Sequence, residues 1–436
     1  MDRIPKILCL TTMALFLLAI LQGATHFLPV RQLKGAYLGA ERPRLTVADF
    51  VSGSYQHGLD QYVKEHHGWR EWSVRMYNQY LWTAYHRSTN PNSVCLGQEN
   101  YLFEPWSVDE YYTGCFSHFY PDSIPESERE QIFLRRMSRL GKVQAILEEQ
   151  GVHLFLVLLP GKEWICPQYL PNRDGGRADG QLRAYSTYSR FAGSYGIRYI
   201  DICHCFDSLN GRTSYRLFTQ TGTHWSNIAS TYAFDSVMHF MQTFGPAIRP
   251  VTLGQPYKDR TREPDADLDE LLNKMFHIPT ERNQYIDVTL GDPIAMGNPS
   301  LVVIGDSFFW NILYNFPVQE IFSNFRYWYY FSTIYYDSNH ASVADINLVE
   351  ELLGSDYVML SYSPVQLYDM GNGFVDRALL ELCYDPDEIE LVRSRLAADG
   401  ISAQSIEECL YRNMEQYFPE LGAPGVPTVR CSRLRK

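Results

Sequence analysis

The stretch that most restricts the fold is LVVIGDSFFWNILYNF, Leu301 to Phe316. Its four apolar residues Leu301 to Ile304 read as a strand buried on both faces. Gly305-Asp306 reads as the sharp turn ending that strand, and Phe308 to Phe316 as the helix that follows. Ser307 then stands at a strand-to-helix corner. There its hydroxyl projects from the carboxyl end of a sheet, and the free N–H groups of the helix's first turn face any oxyanion formed by attack. Such a corner seats a nucleophile, with Gly305, Asp306 and Phe308 supporting it. The plainer alternative is that Asp306 or Ser307 caps the helix, which both residue types do well.

Other segments share this strand-and-helix rhythm. SEREQIFLRRMSRLGKVQAILEEQ, Ser127 to Gln150, is acidic early and apolar at helical spacing, and Gly151 stops it. VHLFLVLLP, Val152 to Pro160, is a continuous apolar run of the kind found in parallel strands covered on both sides. A helix from about Gln181 to Tyr195, a strand Ile197 to Phe206 and a helix Ser226 to Phe244 follow. After the Ser307 corner, Tyr327 to Tyr336 and Ser355 to Pro364 read as further strands. Alternation of this kind implies an α/β fold, a parallel sheet with helices on both faces and active residues at strand carboxyl ends. Ser93 to Phe103 reads as a strand, turn and strand entering that sheet, Pro105 to Pro125 as an irregular loop, and Pro250 to Ala295 as a polar excursion. At the carboxyl end, Asp385-Pro386 opens a helix that Gly400 stops, and Ser405 with Glu408 has capping-box spacing within Ser402 to Phe418. The expected segments are 1–27, a membrane anchor or signal peptide; 28–92, a tether and helical lead-in capped at Thr46 and interrupted near Gly53 and Gly58; 93–375, the α/β domain; and 376–436, a helical tail.

At the amino end, Arg3 and Lys6 precede an apolar run from Ile7 to Ala24, close to the minimum that spans a bilayer. Positive residues before the run place the remainder on the far side of an inner membrane, the periplasmic or non-cytoplasmic side. An uncleaved anchor and a cleaved signal peptide both deliver an exported soluble part, and no small-x-small cleavage site stands out around Leu21 to Thr25. The 436-residue chain carries a net charge of −12, so it has no basic field to hold nucleic acid. Export permits disulfides, and Cys95 with Cys115 or Cys383 with Cys409 could pair. Cys203, His204 and Cys205 invite a metal reading. As part of a strand, however, the two thiols would share one face and the imidazole the other, so buried thiols are the better account and no metal is expected.

A serine corner needs a base, and LFTQTGTHWSNIASTYAF, Leu217 to Phe234, supplies one. His224 lies just before a helix capped by Ser226, at the mouth of the sheet, with Thr223 beside it and Trp225 as a wall of the site. Ser307 and His224 can meet as an activated pair, the imidazole taking the hydroxyl proton and later returning it.

GDSF, the T-x-T-H-W-S block and the P-x-K of PGKEWICPQYLP, after an amino-terminal apolar segment, resemble the SGNH-hydrolase-like domain of the alginate O-acetyltransferase type, the AlgJ, AlgX and DHHW group. The resemblance runs from about Gly53 to about Phe374. It implies an SGNH or flavodoxin-like core with the histidine block before the serine block, Ser307 as acetyl carrier and His224 as its base. It also implies a polysaccharide substrate, no bound cofactor, and acetyl supplied by a separate multispanning membrane acyltransferase. One position departs from the family: the Asp two residues before the histidine is Gly222 here. Asp201 or Glu163 could orient the imidazole instead, or a backbone carbonyl could, or catalysis could be lost. Lys162 could bind an acetylated sugar or an anionic group, or be a solvated loop lysine. The leading expectation is a membrane-anchored O-acetyltransferase of an envelope or secreted polysaccharide. A polysaccharide acetylesterase using the same residues and a non-catalytic glycan-binding assembly component are the alternatives.

Overall fold

The computed structural model describes residues 3–29, 31–35, 39–114, 125–173, 183–295 and 297–425. The chain divides into two compact units. The first comprises 1–105, 220–222 and 266–281, and the second 106–219, 223–265 and 282–436.

The second unit is built on a six-stranded sheet of β1 (His153–Leu158), β2 (Tyr199–Asp201), β3 (Ser300–Gly305), β4 (Ser323–Tyr329), β5 (Thr333–Tyr335) and β6 (Tyr357–Tyr362). Their spatial order is β5-β4-β3-β6-β1-β2. Five strands are parallel and β5 pairs antiparallel with β4, so the expected parallel sheet carries one reversed edge strand. The reversal comes from YWYYFSTIYY, expected as one strand. Tyr330 and Phe331 adopt φ of 48° and 47°, and left-handed residues of this kind turn the chain back on itself.

Both faces of the sheet are covered. On one, Leu154, Leu156 and Leu158 join Val302, Ile304, Val358 and Leu360 in a buried cluster with helix residues such as Met137, Leu140, Tyr188 and Leu379. On the other, Phe155 packs on Phe240 and Phe244, ring centroids 6.0 and 5.6 Å away. Five unbroken apolar positions in β1 and four in β3, Leu301 to Ile304, are the sequence signature of such double burial.

The sequence differs from the structure at several helices. The segment expected as strand through Phe206 ends at Asp201, whose carboxylate accepts the His204 N–H at 2.8 Å and starts a helix, Ile202–Leu209. Cys203 is therefore buried and Cys205 exposed, and the two thiols do not share a face. Local capping outcompetes the β-branched pattern there. Pro105–Thr113 is a helix instead of loop, while 115–124 lies outside the described residues. Pro386–Ala398 forms with its Asp385–Glu388 capping box, but Ser405 makes no side-chain cap and the following helix breaks at Asn413. Cys409 is a free thiol, so the Cys383 pairing does not form; Cys115 is outside the described residues. The polar excursion contains two antiparallel ladders, Val251–Leu253 with Val288–Leu290 and Tyr257–Asp259 with Asn283–Tyr285.

The first unit holds α1 (Arg3–Thr25), α2 (Val47–Ser52), α3 (Ser54–His66) and α4 (Arg70–Tyr85). Thr46 caps α2 and Gly53 ends it at φ 85°, whereas Gly58 stays helical and the second break falls at Gly68. Cys95–Leu96 and Leu102–Phe103 form their own two-stranded ladder and do not enter the main sheet. The stretch read as a tether is pinned to the unit. The Arg31 guanidinium pairs with Glu270, the Lys34 N–H donates to Asn273 at 2.9 Å, and the Ala40 N–H donates to Glu65 at 2.8 Å.

Candidate functional site

Ser307 follows β3 at the carboxyl end of the sheet. Gly305 pairs with Ser361 of β6 so closely that a Cβ there would lie 2.7 Å from the Ser361 carbonyl oxygen, which is why the position is glycine. The next residue, Asp306, is 1% exposed and organises the corner with its carboxylate. One oxygen accepts the Phe308 N–H at 3.1 Å and the other the Ser363 N–H at 2.7 Å, while the Tyr327 hydroxyl donates to its carbonyl. Burial raises the Asp306 carboxyl above its ordinary range; the bonds from Ser363 and Phe308 and the nearby His224 ring oppose that rise.

His224 is placed by a second loop. The Ser226 N–H donates to the Leu217 carbonyl at 2.8 Å, Phe218 bridges Trp225, and the Ser226 hydroxyl accepts the Ala229 N–H as cap of the helix Asn227–Met241. The Trp225 indole N–H then reaches the Phe308 carbonyl at 3.1 Å, and the Asn311 side-chain amide donates to the Trp225 carbonyl at 3.0 Å. One turn further along, Asn315 donates to the Asn227 carbonyl at 3.1 Å and to the Ser230 hydroxyl at 3.0 Å. Phe234 packs on Phe316 with centroids 4.9 Å apart. The two helices that follow the two loops are thus clamped side by side.

The result is a 2.9 Å hydrogen bond between His224 Nε2 and Ser307 Oγ. Both residues are half-buried amid buried neighbours, and the His224 ring meets the edge of Phe308 at 5.0 Å. Such a pair can pass the hydroxyl proton to the imidazole and so present an alkoxide-like nucleophile. Among the described residues the Phe308 N–H is taken by Asp306, whereas the Ser307 N–H donates to no protein acceptor, which leaves it able to meet an anion at the corner.

The remaining expected residues are distributed differently. Asp201 bonds to the Tyr185 hydroxyl at 3.2 and 3.0 Å and to the His204 N–H, not to His224. Burial raises its pKa against those bonds. Glu163 is 3% exposed in the first turn of the short helix Lys162–Ile165, near the buried Glu110. Lys162 is likewise 3% exposed, so it is not a solvated loop lysine. Thr223 is buried, and Trp225, also buried, is a strut between the loops with its polar atom already engaged. Burial pushes the Cys166 thiol up to about 11 and that of Cys203 up as well, which keeps both protonated and poor nucleophiles.

Sequence reasoning missed Asn227, Asn311 and Asn315. Their signal was available: in FFWNILYN two asparagines four apart share one helix face with apolar residues, and Asn311 is 2% exposed. Buried amides on such a face have to be bonded to something.

Residues 114–319 match a family model described as ALGX, SGNH hydrolase-like domain, acetyltransferase AlgX, the same resemblance that the motifs carry. No curated protein matches the chain. Among solved structures, the chain is similar to the O-acetyltransferase domain of Pseudomonas putida AlgJ, with 16% identity over 68% of this chain and 97% of that one, TM-score 0.42. It is also similar to Bacillus cereus PatB1, with 13% identity over 63% and 96%, TM-score 0.38. Pseudomonas aeruginosa AlgX gives 13% identity over 62% and 55%, TM-score 0.34.

Proposed function

We propose that the chain is an O-acetyltransferase of an envelope or secreted polysaccharide, working on the non-cytoplasmic side of a membrane through an acetyl-Ser307 intermediate. The observation that carries this reading is the 2.9 Å contact of His224 Nε2 with Ser307 Oγ at the carboxyl end of the sheet. The match to an acetyltransferase domain model over residues 114–319 supports the class of reaction. In the first half-reaction, Ser307 Oγ attacks the carbonyl carbon of an acetyl ester or thioester. Its proton passes to His224, the Ser307 N–H binds the developing oxyanion, and the donor leaves with the proton that His224 returns. In the second, a sugar hydroxyl gives its proton to His224 and attacks acetyl-Ser307. The new sugar ester forms, and His224 reprotonates the released Ser307 oxygen. Phe308, buried against the imidazole, limits the water that could intercept the acetyl group.

Membrane attachment belongs to the same proposal. Ile4–Thr25 is long and apolar enough to cross a bilayer. The acetyl donor in this reading is a multispanning membrane acyltransferase. The orienter of the imidazole is a group other than Asp201, with Glu163 as the remaining acid from the sequence.

The test is acetyl transfer from a chromogenic acetyl ester, with and without oligosaccharide. The wild-type chain should form an acetylated species of mass increased by one acetyl group on Ser307 and discharge it faster when oligosaccharide is present. Ser307→Ala and His224→Ala should lose at least about a thousandfold in turnover. Discharge to water at a rate indifferent to sugar would make the protein an esterase, and full activity in Ser307→Ala would end the proposal.

A further inference from the structure

Helix α4 has apolar side chains on two sides: Trp82 packs inward against a cluster that includes Val94, Leu102 and Leu268, and a second set points outward. Its buried side carries Arg75 and Asn78, only 6% and 7% exposed. The Arg75 guanidinium donates to the Lys274 carbonyl at 3.1 Å and the Gln32 carbonyl at 2.8 Å; Asn78 donates to the Leu272 carbonyl at 2.9 Å. Its outward side carries Met76, Tyr77 and Tyr80, which are 61%, 59% and 56% exposed, with Tyr85 at 58% at its end. Phe276, 71% exposed, is tied to the same helix by its N–H, which donates to the Gln79 side chain at 3.1 Å. A helix whose outer side meets only water carries polar residues there. Met76, Tyr77 and Tyr80 share one helix face and Tyr85 meets Tyr80 edge to face, centroids 5.8 Å apart, so they form a patch of the kind that marks a partner or a membrane.

The partner is indicated by what α4 is joined to. Gly68, at the elbow between α3 and α4, lies against the last turns of α1: a methyl group there would collide with the Gly23 nitrogen and the Ala19 oxygen. Gln22 is fully buried, and its amide bonds the Leu28 N–H and carbonyl at 2.9 Å. At 1.5 Å per residue, the 23 residues of α1 reach about 34 Å, slightly more than a hydrocarbon core of about 30 Å. Ala19 to Gly23 thus fall at the outer hydrocarbon boundary, and the elbow that begins α4 falls with them. Tyrosine, like tryptophan, favours this depth, and an α4 that runs along the surface from the elbow would keep Tyr77, Tyr80 and Tyr85 there.

We propose that the outward face of α4, with Phe276, rests in the headgroup layer of the bilayer that α1 enters, with phospholipid as its occupant. The exported part is then held to the membrane surface by a second contact, independent of the anchor's own hydrophobicity. This rests on α1 being an uncleaved anchor, as read above.

The experiment places a photoreactive p-benzoyl-phenylalanine at Tyr77, Tyr80 or Phe276 of the full chain in nanodiscs of phosphatidylethanolamine and phosphatidylglycerol. Leu391, 65% exposed in the second unit, is the control. Expected is a chain carrying the added mass of one phospholipid from 77, 80 and 276, at about tenfold the yield from 391. Yields equal to that from 391, or adducts in native membranes to another protein or a second copy of the chain, would overturn the lipid assignment. The intact mass separates the two readings. A chain retaining α1 without lipid adducts sinks this inference alone, and a chain lacking α1 without adducts sinks both. A chain lacking α1 with adducts removes the anchor reading and with it the placement of α4 argued from α1.

Discussion

Gly305→Ala is the sharpest perturbation of the corner that seats Ser307. The added Cβ would lie 2.7 Å from the Ser361 carbonyl oxygen and 3.3 Å from the Ser361 Cβ. Relaxing the first contact to an ordinary carbon–oxygen separation of about 3.3 Å requires β3 and β6 to part by roughly half an ångström. The Asp306 N–H bond to the same oxygen, already 3.2 Å long, is lost in that movement. Overpacking costs about 1–3 kcal/mol and the lost bond about 1 kcal/mol more. For a unit of this size the melting temperature should then fall by roughly 3–6 °C. Ser307 is two residues downstream, so a shift of this size at the nucleophile should also slow acetyl transfer by roughly ten- to a hundredfold. The assay is a thermal melt followed by circular dichroism beside ester turnover, with Gly193→Ala as control. Gly193 has open space around its Cβ position, so that variant should melt within about 1 kcal/mol of wild type in stability. A Gly305→Ala chain melting within about 1 °C of wild type would refute the steric argument, and one that melts low but turns over normally would refute the link to Ser307.

Asn311→Ala removes the donor from the Trp225 carbonyl and should destabilise by about 1–3 kcal/mol, with a fall in transfer as the His224 loop loosens; melts and turnover measured together check it. Burial, and after it the charge of Glu163, hold the Glu110 carboxyl well above its ordinary value of 4.5. Because the folded pKa is raised, the stability contributed by neutral Glu110 is complete below the unfolded value and lost as pH rises through the folded one. Glu110→Gln should accordingly gain on wild type in denaturant midpoint between about pH 5 and pH 8, and a constant difference across that range would contradict the sign. In the first unit, Lys274 and Asp269 form an ion pair with side chains only 3% and 2% exposed. Lys274→Met should cost about 3 kcal/mol in urea unfolding by stranding the carboxylate, and a loss under about 1 kcal/mol would show that His277, also on Asp269, suffices.

The amino-acid order by itself determined the strands buried on both faces, because a continuous apolar run such as HLFLVL or LVVIG has only one environment that suits it. It determined the serine corner, since GDS between such a run and an amphipathic segment has few other conformations, and the Ser226 cap that sets His224 ahead of its helix. Where local and long-range preferences compete, the sequence was ambiguous. Asp201 capped a helix that the apolar pattern wrote as strand, and two left-handed aromatic residues folded one expected strand into a hairpin. Only the tertiary structure decided that the imidazole and the hydroxyl, 83 residues apart, lie 2.9 Å from each other, because that distance depends on the amides of Asn311 and Asn315 and the indole of Trp225 bridging two loops. It alone assigned Asp201 to Tyr185, and it alone showed Tyr77, Tyr80 and Tyr85 of α4 facing outward, since helical periodicity reports which residues share a face and not which medium that face meets.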